Sequence, residues 1–327
     1  MKKASVSPKL KVLAFTLAAL LFLFSLYKIA TVLEFHFEDP VEDGGSSRVI
    51  EFDGIKYIPD GNVVSVLLMG IDSAGEVADS ESYRNDGLAD FICVAAFNLK
   101  TKTCTVLHVN RDTVTEMNAL GLGGSSVGTV RAQIALAHSY GSGLEDSCIN
   151  TKSAVSKLLY NIVISNYISL NMDGISVLND LVGGVEVTVD DDLTALDPAL
   201  KKGADVVLDG TQALKFVRAR YDVGNQTNLE RMARQKTYME SFYSVFTKQL
   251  SDDKINMDEV FDKIDPYMVT DCNTGVVSML SDRLKSFEFK GVVSVSGKTE
   301  IGEDGVEFYP DETEFKKTVL DIFYKPE

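Results

Sequence analysis

The chain changes its hydrophobic period several times, and each change marks an element. From Val12 to Leu33 it reads VLAFTLAALLFLFSLYKIATVL, apolar throughout except for Lys28, its one charge. As a helix these 22 residues run about 33 Å, enough to cross a hydrocarbon core of roughly 30 Å, and Lys28 stands near enough to one end to snorkel. Residues 34 to 62 turn polar, with two prolines, the run EDGGSS and the short pattern VIEFDGIKYI, which predict a linker and then a small hairpin. Val63 to Met69 (VVSVLLM) is a continuous apolar run of strand length, closed by Gly70 with Asp72 just beyond, and predicts a buried central strand. Phe91 to Phe97, the turn NLKTK and Thr103 to Val109 predict an antiparallel hairpin, with Arg111 and Asp112 at its exit.

Beyond Asp112 the period lengthens. GLGGSSVG (Gly121 to Gly128) lacks the GK[ST] ending of a phosphate-cradling loop and reads as a flexible loop over the site edge. Thr129 to Tyr140 has helical spacing, which puts Arg131 in a first turn, and GSG ends it. Asn150 or Thr151 is placed to cap a helix through Tyr160, followed by a strand at Tyr167 to Leu170, a helix at Gly174 to Leu181 and a strand at Val185 to Val189. Asp209 can cap a helix through Val217, and another runs through Arg231, Arg234 and Gln235 into TYMESFYSVF. The tail adds a helix near Gly275 to Leu284, a strand near Gly291 to Val295 and a last helix, Glu312 to Phe323. Alternating helices and strands around a hairpin define an α/β class with a central mixed sheet flanked by helices on both faces, preceded by one transmembrane helix.

The strands carry a geometric expectation. A tight hairpin sets the start of its first strand beside the end of its second, so Asp90 falls near Arg111. If strand 63 to 69 runs parallel to 103 to 109, Asp72 emerges at the same edge, where open α/β sheets bind ligands. The alternative is three unrelated loop charges.

Charge sharpens this picture. From Lys215 to Lys236 there are six cations against two acids, in a chain of formal net charge -16. Four of the six are arginines, whose planar fork matches two phosphate oxygens at once, so a phosphorylated ligand competes with a solvated, salt-bridged helix face as the explanation. Arg218 and Arg220, two apart, converge only where the helix has ended and the chain is extended; Arg231, Arg234 and Gln235 share one helix face. Lys2, Lys3, Lys9 and Lys11 precede the apolar span and no acid does, which leaves the amino terminus in the cytoplasm and exports the rest. The span is long for a signal peptide and no small-x-small cleavage site follows, which favours an uncleaved anchor. Without the first 33 residues the chain holds 27 basic and 48 acidic side chains, a net of -21 that repels nucleic acid. Cys93, Cys104, Cys148 and Cys272 are too few and scattered for a disulfide framework, though a single disulfide stays open. No zinc spacing, HExxH or GxSxG is present.

Six ordered motifs then resemble the LytR-CpsA-Psr family of cell-wall phosphotransferases. LLMGID (Leu67 to Asp72) resembles the family's first strand and acid, LADFICVAAFNLKTK its RSDTIMLVSINPKTK, and VNRDT its IPRDT; LVGGVEVTV resembles LGGVDVDV, LDGTQALKFVRAR resembles LNGEQALAYVRFR, and ERMARQ resembles RIERQ. The likeness runs from Val63 to Leu250. It implies a cytoplasmic basic tail at 1–11, a membrane anchor at 12–33, a linker and hairpin at 34–62, a catalytic domain at 63–250 outside a cell membrane that the chain crosses once, and a 251–327 extension packed on that domain.

By position, the resemblance implies magnesium held by Asp72 and Asp90. It also implies diphosphate-binding cations at Arg111, Arg218, Arg220 and Arg231, with Gln235 beside them and Arg131 nearby. Asp112 and Asp90 are the candidate bases by proximity. The implied activity moves a phosphorylated glycopolymer from a polyprenyl diphosphate carrier onto peptidoglycan, with a pocket for the polyprenyl chain that rests on the resemblance alone. The arginine that usually precedes the second acid is Leu88 here, so Arg84 is its candidate substitute; the usual proline before Arg111 is Asn110, and the usual acid before Arg231 is Asn228. A hydrolase using the same diphosphate site and a non-catalytic wall-binding or regulatory protein stand as rivals.

Overall fold

The computed structural model describes residues 49–78, 87–121, 124–220, 227–302 and 305–327. The apolar span at 12–33, the tail before it and most of the linker lie outside these residues, as does Arg84; among the described residues no helix is long and apolar enough to cross a membrane. The chain opens with a hairpin of β1 (Ile50–Phe52) and β2 (Ile55–Pro59), turned at Asp53 and Gly54, both with positive φ as a tight Asp-Gly turn requires. Next come β3 (Val63–Ile71), β4 (Ala89–Asn98) and β5 (Thr103–Val109), each antiparallel to the one before, so β3 and β5 point the same way. At the β4–β5 turn, Asn98 Oδ1 accepts from the backbone of Lys100 and Thr101, both at 3.0 Å, which fixes the register of the pair.

A second hairpin follows, β6 (Val114–Leu120) and β7 (Ser126–Gln133), with a single 3-10 turn at Ile134–Ala137. This corrects the helix expected over Thr129 to Tyr140. The stretch has helical spacing, but Val127, Thr129 and Val130 are β-branched, and β6 offers them a ladder from Val114 to Leu120 that outweighs spacing alone. α1 (Glu145–Leu158) starts earlier than expected, with Glu145 and Asp146 in its first turn. Asp146 accepts from Ser142 N at 3.0 Å and Ser142 Oγ at 2.6 Å, and Asn150, expected as a cap, instead donates to Ala137 O and Asn118 O.

The remainder runs β8 (Asn166–Asn171), α2 (Met172–Leu181), a ribbon of β9 (Val185–Thr188) and β10 (Asp205–Leu208), α3 (Gly210–Arg218), α4 (Asn228–Ser251), α5 (Met257–Ile264), β11 (Met268–Thr270), α6 (Thr274–Ser286), β12 (Glu288–Val293), a hairpin of β13 (Gly297–Gly302) and β14 (Gly305–Pro310), α7 (Glu312–Phe323) and β15 (Tyr324–Pro326), which joins β2. The main sheet has six strands in the order β11-β8-β3-β4-β5-β12. β3 pairs parallel to β8 and antiparallel to β4, so the sheet is mixed, and β11 and β12, both from the last quarter of the chain, form its edges.

Both faces of this sheet are covered, which is why β3 and β4 read as unbroken apolar runs. Val66, Cys93, Ala95 and Phe97 face a core built with Phe216 of α3, Phe246 and Leu250 of α4 and Leu280 of α6. Leu67, Met69, Ile92 and Val94 face the other, with Val155 of α1 and Val319, Leu320 and Phe323 of α7. The four cysteines are free thiols.

Candidate active site

The site sits at one end of β3, β4 and β5, and a bulge in β4 builds it. Gly70 pairs with Phe91 but Ile71 pairs with Ala89, so Asp90 is an extra residue with no partner on β3. Strict alternation from Ile92 would aim Asp90 into the apolar core between the sheet, α1 and α7. The bulge gives that place to Ala89, which is fully buried there, and turns the carboxylate outward. Asp72 leaves the end of β3 alongside, its backbone N–H donating to Leu88 O at 2.9 Å. At Gly70 a Cβ would stand 3.0 Å from that of Phe91, so the residue at the strand's end has no side chain to close the space above it.

Three arginines bond these two acids, and a fourth lies close by. Arg111, at the exit of β5, donates from Nη1 to Asp90 Oδ1 and from Nε to Asp112 Oδ1 at 3.2 Å. Arg231, in the first turn of α4, donates from Nη1 to Asp90 Oδ2 at 2.7 Å, and from Nε and Nη2 to Asn228 Oδ1 at 3.2 and 2.7 Å. Arg218, the last residue of α3, is exposed and meets Asp72 Oδ1 at 3.3 Å. α3 ends there because Ala219 turns extended (φ -48°, ψ 125°), and Arg220, half-buried, lies close enough to Arg111 for their charges to oppose. Burial holds the Arg111 guanidinium below its ordinary value, with Arg231 and Arg220 adding to the effect and Asp112 countering it. Behind them His108, buried and packed on Phe91 with centroids 5.1 Å apart, is pushed down to about 3 by burial and then by Arg231.

Above the arginines the packing stops short. A cavity of about 230 Å³ opens between the β3, β4 and β8 face and α2 and α4, lined by Leu68, Phe91, Leu178, Tyr238, Met239 and Phe242 among others. Protein interiors rarely leave a void larger than a water molecule, so this space is a feature of the fold. It adjoins a smaller pocket holding Asp72, Asp90, Arg218 and Arg231, and the two share Gly70, Phe91, Leu170, Ile175, Val217 and Gln235. Gln235 marks the boundary: Nε2 donates to Val217 O at 3.3 Å, while Oε1 is buried without a hydrogen-bond partner among the described residues. The sequence signal for the cavity is the stripe Gln235, Tyr238, Met239, Phe242 on α4, whose helical spacing reads as ordinary core.

Of the side chains expected here, Asp72, Asp90, Arg218, Arg231 and Gln235 line the pocket, and Arg111, bonded to Asp90, and Arg220, near Arg111, stand beside it. Asp112 is buried behind Arg111 and does not line the pocket, so its geometry suits holding that guanidinium. Arg131 stands exposed on β7 across from Glu116, and its charge reaches Tyr309 of β14. Arg234, expected on the same face as Arg231, diverges: it binds Asp191 at 2.8 Å and the carbonyls of Phe216 and Ala219, tying down the end of α3. Among the described residues no three His, Cys, Asp or Glu side chains form a metal cluster. Asp72 and Asp90 do supply two hard carboxylates to one pocket, each oxygen of Asp90 keeping a lone pair beyond its guanidinium contact. That set fits magnesium, which takes one or two carboxylates and completes its shell with water and phosphate oxygens.

The structure is thus an α/β fold with acids and arginines at the ends of its central strands, next to an apolar cavity. The chain belongs to the LytR_cpsA_psr family, whose model matches residues 38–321. It is 33% identical over 178 residues to the polyisoprenyl-teichoic acid–peptidoglycan teichoic acid transferase TagU of Bacillus mycoides, a match covering 54% of this chain and 51% of that one. The chain thus spans about half the length of the named relatives it matches. Its fold is shared with the structure of TagT bound to LI-WTA (TM-score 0.60, 20% identity, 86% of this chain and 96% of that one) and with protein gbs0355 of Streptococcus agalactiae (TM-score 0.63, 22% identity, 80% and 87%).

Proposed function

We propose that this protein is a membrane-anchored, magnesium-dependent phosphotransferase that moves a glycopolymer from a polyprenyl diphosphate carrier onto peptidoglycan at the outer face of the cell membrane. The observation that carries this reading is the continuity of the apolar cavity with the arginine cluster. A long hydrocarbon tail ending in a diphosphate is the ligand that uses both at once. The transferase name of the relatives supports the same substrate pair.

The chain's own residues account for most of the work. Arg111, Arg218, Arg220 and Arg231 neutralise the diphosphate oxygens as an acceptor sugar hydroxyl attacks the phosphorus that carries the glycopolymer and polyprenyl phosphate leaves; catalysis is positioning and charge stabilisation. Asp72 and Asp90 would hold the magnesium, which supplies further neutralisation of the phosphates. Asp112 keeps the Arg111 fork aimed, and the cavity keeps the tail out of water. Residues 12–33 would anchor the domain outside, the amino terminus remaining in the cytoplasm.

The test is a transfer assay with the full chain in detergent, a labelled polyprenyl diphosphate-linked glycan and a peptidoglycan acceptor, with and without magnesium. Label on the acceptor is the expected result. Label released only as free phosphorylated glycan would make the protein a hydrolase, and turnover in the presence of chelator would remove the metal from the proposal.

A further inference from the structure

His138 is buried and takes no part in the chemistry above, yet it touches the stretch that delivers both acids. Its Nδ1 lies 3.0 Å from the carbonyl oxygen of Gly87, which is itself buried. A carbonyl only accepts, so Nδ1 carries the proton and donates. In the neutral ring Nε2 is then the acceptor, and the Cys148 thiol stands 4.0 Å from it, where a weak S–H donor belongs. Burial favours this neutral ring by holding His138 below its ordinary value. Burial likewise pushes the Cys148 thiol up to about 12, so it keeps its proton.

The stretch that begins at Gly87 is short and carries the site. Leu88 O accepts from Asp72 N at 2.9 Å, Ala89 is sunk in the core, and Asp90 is the bulged residue. Residues 87–90 therefore set the backbone of one acid and bear the other. The 3-10 turn that runs into His138 holds the opposite side of the site as well. Ala135 N donates to Arg111 O at 3.1 Å and Ile134 N to Thr113 O at 2.8 Å, while Asn150 of α1 fastens the turn by donating to Ala137 O at 2.8 Å. One buried turn thus grips the backbone of Arg111 at its start and that of Gly87 at its end, and Arg111 and Asp90 are bonded to each other between these two holds.

We propose that His138 is a positioning residue: by donating from Nδ1 to Gly87 O it keeps residues 87–90 in register with the Arg111 turn, and so fixes the spacing of the Asp72 and Asp90 carboxylates that would hold magnesium. The inference rests on the metal reading of the site and deepens it. His138 reaches neither metal nor substrate; it acts through two stretches of backbone.

The experiment compares three substitutions in the full chain in detergent. His138→Asn sets an amide nitrogen near the place of Nδ1, His138→Gln sets one nearer Nε2 and Cys148, and His138→Leu supplies bulk with no donor. Amide hydrogen exchange in chelator should show the Asp72 N–H exchanging about fivefold faster with Leu or Gln, the scale of one neutral hydrogen bond, and close to the parent rate with Asn. Magnesium binding, titrated by calorimetry, should weaken by about the same factor with Leu or Gln and be retained with Asn. If His138→Leu does not fold, the two amides, alike in polarity, still make the comparison. A role in packing alone would lower the melting temperature while Asn and Gln behave alike in exchange and in magnesium affinity, and that result overturns the inference alone. No magnesium binding by the parent overturns the metal reading and this inference with it.

Discussion

Arg231 and Asp90 meet at 2.7 Å although 141 residues separate them, and the contact joins the first turn of α4 to a bulge in β4. Asp90 is at the same time bonded to Arg111, which also holds Asp112, so one carboxylate is shared between two guanidinium groups that are 5% and 13% exposed. The acid occupies one nitrogen of each fork, so an anion bound at the proposed site would compete with it for both.

Removing that counter-charge should therefore be felt in stability first. Asp90→Asn takes from Arg231 and Arg111 the carboxylate they share, and breaking a buried pair from one side costs about 3 kcal/mol or more. Thermal melting should show the loss, and added pyrophosphate should recover a good part of it by taking the place of the carboxylate. Loss without recovery would mean that the anion does not reach Arg111 and Arg231.

Arg218 behaves in the opposite way. It is 61% exposed and its ion pair with Asp72 is long, at 3.3 Å, so Arg218→Lys should leave the melting temperature where it is. Transfer should fall about tenfold, because lysine keeps the charge and gives up the two-pronged fit to phosphate. Near-parent transfer at limiting substrate would place Arg218 outside the diphosphate contact.

The cavity can be tested from the inside. Met239 lines it from α4, and Met239→Trp adds bulk toward that space. Pyrophosphate binding should be unchanged, since the arginines are untouched, and affinity for a polyprenyl diphosphate should fall at least tenfold. Equal losses for both ligands would show a general disturbance of α4 and not an occupied tail site.

How much of this could be read from the sequence divides along physical lines. The β4–β5 hairpin, which sets Asp90 by Arg111, and the Asp209 cap of α3 follow from short-range rules, and Asp209 makes the full reciprocal cap with Gln212; the place of Asp72 beside them hung on β3 running the same way as β5, which the sheet bears out. The β6–β7 hairpin was hidden because a helical spacing of apolar residues and a β-branched run coincide between Val127 and Tyr140, and only the ladder to β6 decides between them. Arg234 shows the limit of helix-face reasoning. Three residues from Arg231 leaves an angular offset wide enough for one guanidinium to enter the site and the other to turn to the carbonyls of α3. The α4 stripe that lines the cavity could not be told from an ordinary core stripe, since the same apolar residues would be expected in a filled core.

Acid should loosen the fold through His108. Its folded pKa, about 3, lies below the ordinary value of 6.5, so between these two values the unfolded chain binds a proton that the native state does not. Stability from this group is complete above 6.5 and declines as pH falls toward 3, by up to about 1.4 kcal/mol per pH unit. Burial depresses His138 as well, which acts in the same direction. Denaturant melts across pH 7 to 4 should steepen accordingly, and His108→Gln should flatten part of the slope; an unchanged slope would assign the acid sensitivity elsewhere.

The bulge at Asp90 frees the functional residue from the sheet's two-fold alternation. On either side of it, substitutions in β4 are constrained by one core or the other, while the residue at the bulge answers to neither. Drift at position 90 is therefore checked by the arginines alone, and a lineage could exchange that acid, or the chemistry it serves, without repacking a single strand. In the same way, deleting one residue here would return the side chain to the alternation and send a charge into the core of α1 and α7. Within the sheet, the core holds the chain's length at this point, and the site alone holds the identity of the side chain.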